Sequence, residues 1–282
     1  MAKKTGWAST HYAVTRNLVH FLIVYALPIS IPIGFATLKM QYQYATSQQS
    51  YSDFAGGRVL HTFPGYPAFP VRLVSELFQR ALVHWQRING RLSPITLYDP
   101  CCGAAYHLAV LGLLHGRDIG TLIASDIDPN ILTLARRNLS LLTPTGMAQR
   151  IGEIEQLIAA YDKPSHHEAL QSAQRLQQML PTSLLSTHLF SADLFRPALR
   201  PSSIDLLFAD VPYGIMTQWH INNPAADSSP IHDLLAHLRP FVTPQTIVVI
   251  ASNKQQKATH SAYRRLEHLR AGKRQIFILQ PV

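Results

Sequence analysis

The sequence predicts an α/β fold, a mostly parallel Rossmann-like sheet with helices on both faces, a helical insertion and a C-terminal antiparallel hairpin. Three observations carry this expectation. Short apolar runs at 95–98, 121–125, 187–191, 204–209 and 246–251 alternate with stretches of helical periodicity such as 104–114 and 129–142. Strands that alternate with helices pair in parallel, because each crossover returns the chain to the same end of the sheet. Acidic residues, Asp99, Asp126, Asp193 and Asp210, stand at or just past the ends of four of these runs, where a parallel sheet places its ligand-binding groups. Near the C-terminus, runs at 265–269 and 275–279 flank Arg270-Ala271-Gly272-Lys273-Arg274, a turn-like link between antiparallel strands at the sheet edge.

The chain has 282 residues, 47% of them hydrophobic, enough to bury the core of one domain with additions. Its formal charge of +9 favours an anionic partner, RNA, DNA or a membrane surface, without choosing among them. Two adjacent cysteines, Cys101 and Cys102, offer neither a disulfide framework nor a spaced metal-ligand set. They point to a reducing, cytoplasmic setting, to small packing residues in a turn, and to no metal site.

Along the chain, residues 17–38 form an uncharged, mostly apolar run flanked by Lys3, Lys4 and Arg16 before it and Lys39 after it. Length and flanks fit a membrane segment, but Pro28, Pro32, Gly34 and His20 make a poor regular helix. The preferred reading is that translation starts at Met40 and that residues 1–39 are an upstream extension. Removing them takes away four basic and no acidic residues and leaves +5, so the basic character survives. Residues 56–70, rich in glycine, proline and aromatics, form an arm. Residues 71–88 carry Leu73, Val74, Leu77, Phe78, Ala81, Leu82 and Trp85 at helical spacing, an amphipathic helix. Residues 40–94 are thus an arm and a helix, and 95–282 the main domain. Asp126 and Asp193 are 67 residues apart, too far for one strand-helix unit, with polar helical segments near 147–161 and 164–179. This predicts an inserted helical pair within 143–186, either a packing excursion or one wall of a nucleic-acid cleft.

The turn Asp99-Pro100-Cys101-Cys102-Gly103-Ala104-Ala105-Tyr106 has one glycine, too few for backbone amides to cradle a pyrophosphate. S-adenosylmethionine (SAM) carries no phosphate; it presents an ammonium, a carboxylate, two ribose hydroxyls and an adenine amine. Asp99 suits the ammonium, directly or through water, and Gly103 lets the backbone pass close to the methionine chain. Asp126 stands where a carboxylate accepts from ribose hydroxyls, and Asp193 accepts from the adenine amine with Leu194 or Phe195 against the ring. Cys101 completes this cofactor-binding set.

Asp210-Val211-Pro212-Tyr213 ends the run at 204–209, beside the same edge. A nucleobase nitrogen is a poor nucleophile until an acceptor takes or orients its hydrogen. Asp210 provides that acceptor, assisted by the Val211 carbonyl, whose direction Pro212 constrains. Tyr213 offers a flat face for stacking the base. Asp210 and Tyr213 are the expected catalytic residues, and Arg72, Pro212, Tyr213, Arg264 and Arg265 the expected substrate-binding set.

Taken together, these motifs resemble class I SAM-dependent methyltransferases that act on a base nitrogen. More closely, Pro64-Gly65-Tyr66-Pro67-Ala68-Phe69-Pro70-Val71-Arg72-Leu73, Glu76, Phe78-Gln79-Arg80-Ala81-Leu82, the Asp-Pro-Cys-Cys-Gly turn and residues 210–214 resemble the AviRa-like rRNA methyltransferases of avilamycin resistance. The resemblance runs from about Tyr42 to the C-terminus. It implies methylation of guanine N1 in large-subunit (23S) rRNA, with SAM as cosubstrate, by a monomeric cytoplasmic enzyme. It also implies that the 56–70 arm and Arg72 close over SAM or contact RNA, the alternative being that the arm packs the entering helix. Ala105 departs from the family, which has glycine there, and Val211 stands where relatives often have leucine or proline. Two other functions remain open at this level: methylation of an exocyclic amine, guanine N2 or adenine N6, in RNA or DNA, and a non-catalytic RNA-binding protein on the same fold.

Overall fold

A computed structural model describes residues 38–47, 49–63, 68–92, 94–182, 185–194, 204–211, 230–253 and 255–282. In chain order the strands are β1 (Leu38–Lys39), β2 (Ile95–Asp99), β3 (Ile119–Asp126), β4 (Ser186–Ser191), β5 (Leu206–Asp210), β6 (Ile247–Asn253), β7 (Tyr263–Ala271) and β8 (Arg274–Pro281). The helices are α1 (Val71–Asn89), α2 (Tyr106–His115), α3 (Ile131–Ser140), α4 (Pro144–Tyr161), α5 (Pro164–Gln177) and α6 (Pro230–Leu238). The strands make one sheet in the order β1-β7-β8-β6-β5-β2-β3-β4. All pairs are parallel except those that β8 makes with β6 and β7. The expected α/β architecture, helical pair and antiparallel hairpin are all present.

Local sequence explains the elements. Every apolar position read on α1 is buried, from Leu73 to Trp85, and burying each large side chain contributes about 1.5–3 kcal/mol. In the insertion, Thr143 caps α4 by accepting from the Gly146 N–H at 3.0 Å, with Pro144 in the first turn. Asp162 ends α4 at φ +46°, and Pro164 opens α5. Helices α1 to α3 cover one face of the sheet, where Leu97, Phe208, Val249 and Ile278 join their core, and α4 and α5 extend that core beyond α3. On the other face α6 packs Ile231, Leu234, Leu235 and Leu238 on Leu207, Val248, Ile250 and Phe277. No helix among the described residues is long and apolar enough to cross a membrane; residues 17–37 of the N-terminal apolar run lie outside them.

Three features depart from the sequence reading. The hairpin joins the sheet through β8, which pairs with β6, and it is not the outermost pair only because β1 lies beyond β7. The two-residue β1 pairs with β7 through Leu38↔Leu269 and Lys39↔Arg270, which crosses the expected 39/40 boundary and is too short to leave a periodic signal. Helix α6 was not anticipated, although its four buried residues have the i, i+3, i+4, i+7 spacing of a packed helix.

Two of the words that carry the family resemblance have architectural partners. Glu76, wholly buried, accepts from the Gln43, Tyr44 and Ala45 N–H groups and from Arg80 Nε, all at 2.8 Å. Arg80 reaches on to Glu267 at 2.7 Å and to the Gln41 carbonyl at 2.6 Å. A buried ion pair is tolerated where its remaining polar atoms are satisfied, as here; this one ties the entering segment to α1 and to β7.

Candidate active site

The parallel strands deliver the four acids to one edge in a spatial row. In the order β4-β3-β2-β5, Asp193 lies two residues past β4, Asp126 and Asp99 end β3 and β2, and Asp210 ends β5. The strand order reverses between the parallel neighbours β2 and β5, since β3 and β4 extend outward on one side and β6 on the other. The gap between Asp99 and Asp210 is therefore the topological switch point, where sheets of this kind bind ligands. By contrast Asp205, just before β5, sits at the opposite edge and accepts from Trp85 Nε1 at 3.1 Å and the Thr96 N–H at 2.8 Å. Its position marks it as an anchor for α1 and β2.

Asp99 is 0% exposed. One carboxylate oxygen accepts from the Cys101 N–H at 2.9 Å, and the other lies 2.8 Å from His107 Nε2, within ion-pair distance but without a well-directed hydrogen bond. Asp99 therefore has no open surface of its own and lies behind the turn. Asp126 accepts from the Gly103 N–H at 2.8 Å and the Asp128 N–H at 3.1 Å, one on each oxygen, and each oxygen retains a lone pair for a further donor. Burial raises its carboxyl pKa against the pull of those two donors. Burial also pushes the Cys101 thiol well up, and the charges of Asp99, Asp126 and Asp210 act in the same direction. The thiol thus lies within reach of the charges of three carboxylates. Gly103 takes φ +52°, and a Cβ there would meet no atom within 4 Å among the described residues: the turn has glycine for its backbone conformation and leaves open space above it.

The family model for the rRNA methyltransferase AviRa matches residues 40–274. The chain belongs to the AviRa family of rRNA methyltransferases. A Streptomyces viridochromogenes relative, the 23S rRNA (guanine(2535)-N(1))-methyltransferase, is 40% identical over 246 residues, which cover 85% of this chain and 95% of the relative. Two solved structures of the rRNA methyltransferase AviRa from the same organism share 39% identity and a TM-score of 0.75, covering 86% of this chain and 96% of each of theirs. Membership of the AviRa family makes the reaction class methyl transfer to rRNA and sets aside the non-catalytic reading.

Within the AviRa frame, Ala105 gains a physical meaning. It stands at φ +52° as the residue before α2, buried at 0% exposure. Glycine at this position would avoid a left-handed strain of roughly 1–2 kcal/mol that alanine accepts here. Asp193 is half-buried and Leu194 buried, whereas Phe195, Pro212 and Tyr213 lie outside the described residues.

The expected basic residues separate. Arg72 donates to the Ala45 and Thr46 carbonyls at 2.9 and 3.2 Å and covers the Tyr42 ring at 4.0 Å, holding the entering segment. Arg264 and Arg265 begin β7, in register with Gln280 and Leu279, so they lie at the edge opposite the acids. The basic residues that β7 and β8 bring to the acids' own edge are Arg270, Lys273 and Arg274, since Asn253 at the end of β6 pairs with Arg274. Arg264 and Arg265, expected to bind substrate, thus lie away from the acids: direction along β7, not charge, decides the edge.

Two residues that sequence reading missed bear on the turn. His107 packs between Phe69 and Phe208, with ring centroids at 6.2 and 5.4 Å. Asn138 is wholly buried; its Oδ1 accepts from the His61 N–H at 2.7 Å, and its Nδ2 donates to the His61 and Ala104 carbonyls at 2.8 and 2.9 Å. It thereby ties the arm to the turn. Both left a signal, a polar residue on an otherwise apolar helical stripe, and a buried polar group is more informative than a buried apolar one.

Proposed function

We propose that this chain methylates N1 of a guanine in 23S rRNA, with SAM as the methyl donor, acting as a cytoplasmic monomer whose product confers resistance to orthosomycin antibiotics such as avilamycin. One observation carries the reading: four acids stand in a row along the edge that holds the switch point, in a chain 40% identical to a guanine-N(1) methyltransferase. SAM suits this edge because its ammonium and sulfonium are cationic and the row is acidic, and because space is open above Gly103. When bound, SAM supplies an electrophilic methyl carbon. No group of three His, Cys, Asp or Glu among the described residues could hold a metal, and the mechanism needs none.

In this reading Asp126 offers its remaining lone pairs to the ribose hydroxyls, Asp193 accepts from the adenine amine, and Asp99, Cys101 and Gly103 shape the seat of the methionine end. Asp210 accepts the guanine N1 proton as the N1–carbon bond forms and the carbon–sulfur bond breaks, then releases that proton to solvent. Pro212 directs the Val211 carbonyl towards the base, and Tyr213 stacks on it, a contact worth about 1–3 kcal/mol. Holding N1 in line with the methyl carbon at about 3–3.5 Å supplies much of the rate.

The test is the nucleoside product. Unmodified large-subunit rRNA incubated with the protein and isotopically labelled SAM, then digested to nucleosides, is expected to yield labelled 1-methylguanosine. Labelled 2-methylguanosine or 6-methyladenosine would move the acceptor to an exocyclic amine and overturn the N1 assignment.

A further inference from the structure

The edge that carries the acids is divided by charge. Its β4-β3-β2-β5 half ends in Asp193, Asp126, Asp99 and Asp210, and its β8-β7 half ends in Arg274, Lys273 and Arg270, with Asn253 of β6 between the halves. Arg270 and Lys273 are exposed. The one carboxylate on either hairpin strand, Glu267, is already held by Arg80 and His84, both at 2.7 Å. The tip is also braced. Gly272, at φ +60°, makes the two-residue turn with Lys273. Gln275 Nε2 donates to the Asn253 carbonyl at 2.8 Å and to the Gln256 carbonyl. His268 stacks on Phe277 at 4.4 Å, and the Arg274 guanidinium lies over the Phe69 ring at 5.0 Å. A basic tip held this way spends less ordering entropy when it takes up a partner.

Resting on the rRNA methyltransferase reading, we propose that the β7–β8 hairpin tip is the surface that grips the rRNA phosphates beside the target base. Phosphates are repelled by the acidic half and attracted by the basic half, and Asp210 ends the strand nearest their junction. Docking the backbone on Arg270, Lys273 and Arg274 therefore leaves the base facing Asp210. Such contacts position the RNA without reading its sequence.

The test uses the full chain and a large-subunit rRNA transcript, with binding measured across a salt series. Each phosphate contact steepens the salt dependence of log affinity by about 0.7–0.9. The double variant Arg270→Gln/Lys273→Gln is expected to shorten that slope by about 1.4–1.8 and to raise KM for rRNA, with SAM affinity by calorimetry and melting temperature unchanged. Lys273→Gln alone, at an exposed turn position, is expected to give half the change and serves if the double variant folds poorly. Arg87→Gln, exposed near the C-terminus of α1 at the opposite edge, is expected to keep the wild-type slope. An unchanged slope in the hairpin variants, or an equal loss in Arg87→Gln, overturns the proposal. So does a loss seen with assembled subunits but not with naked rRNA, which would make the partner a ribosomal protein. If wild-type protein methylates no rRNA at all, the underlying reading fails instead.

Discussion

Asp99 and His107 share a buried site, and the histidine's state follows from its neighbours. Burial acts to lower the His107 pKa, but the charge and contact of Asp99, with Asp210 beyond it, more than offset that and hold it above its ordinary value. A raised histidine pKa contributes stability that is fully present below about pH 6.5 and is lost as pH rises through the folded value. The melting temperature of the wild-type protein is therefore expected to carry a component that declines above pH 6.5, and His107→Gln is expected to flatten it. Equal pH slopes for the two proteins would mean that the pair carries no proton linkage. His61 and His115 act with the opposite sign: burial depresses each to about 4. They erode stability as pH falls from about 6.5 towards 4, because the unfolded chain binds protons that the folded one refuses.

Among the elements, the inserted helical pair has a definite job on this side of the molecule. Arg150 of α4 donates to the Arg58 and Val59 carbonyls at 2.9 and 3.1 Å. Glu168 of α5 pairs with Arg58 at 2.8 Å, and Arg175 with Asp53 at 2.6 Å. The insertion thus clamps residues 53–59, and Asn138 carries the restraint on to Ala104 of the turn. Asn138→Ala leaves half-buried backbone groups of His61 and Ala104 without this partner, at a cost of up to about 1–3 kcal/mol each. The variant is expected to melt lower and to show a raised KM for SAM with a smaller effect on kcat, because the turn loses its register while Asp210 does not. An unchanged KM at reduced stability would make Asn138 a packing residue only. At the N-terminus, a protein starting at Met40 loses β1 but keeps the Met40 N–H bond to the Arg270 carbonyl, 2.9 Å. It is expected to fold and methylate rRNA like the full chain, and aggregation of the shorter protein alone would place a needed segment before Met40.

Across the whole molecule, periodicity and strand ends were readable in the sequence, and relations between distant segments were not. The spacing of Leu73 to Trp85 gave α1 to within one residue, and the acids at the ends of apolar runs gave the edge, because those signals are local. The insertion of β8 between β6 and β7 depends on non-local pairing that no periodicity encodes. For the same reason the charges of Arg264 and Arg265 were visible but their edge was not. The charge of Arg72 was visible too, but not that the Ala45 and Thr46 carbonyls take up its donors. His107 and Asn138 were visible as misplaced polar residues, but their partners, Asp99 and His61, come from other elements.

The division of the edge gives the account its central claim: a donor side built from acids, an RNA side built from the hairpin, and Asp210 between them serving chemistry alone. The direct measurement is Asp210→Ala, assayed for turnover, SAM affinity and rRNA affinity in one preparation. The account expects turnover to fall by at least about 10²-fold, with both affinities within about twofold of wild type, as befits a group acting only in the transition state. Wild-type turnover in this variant, or a loss traced wholly to weaker SAM or rRNA binding, would contradict it.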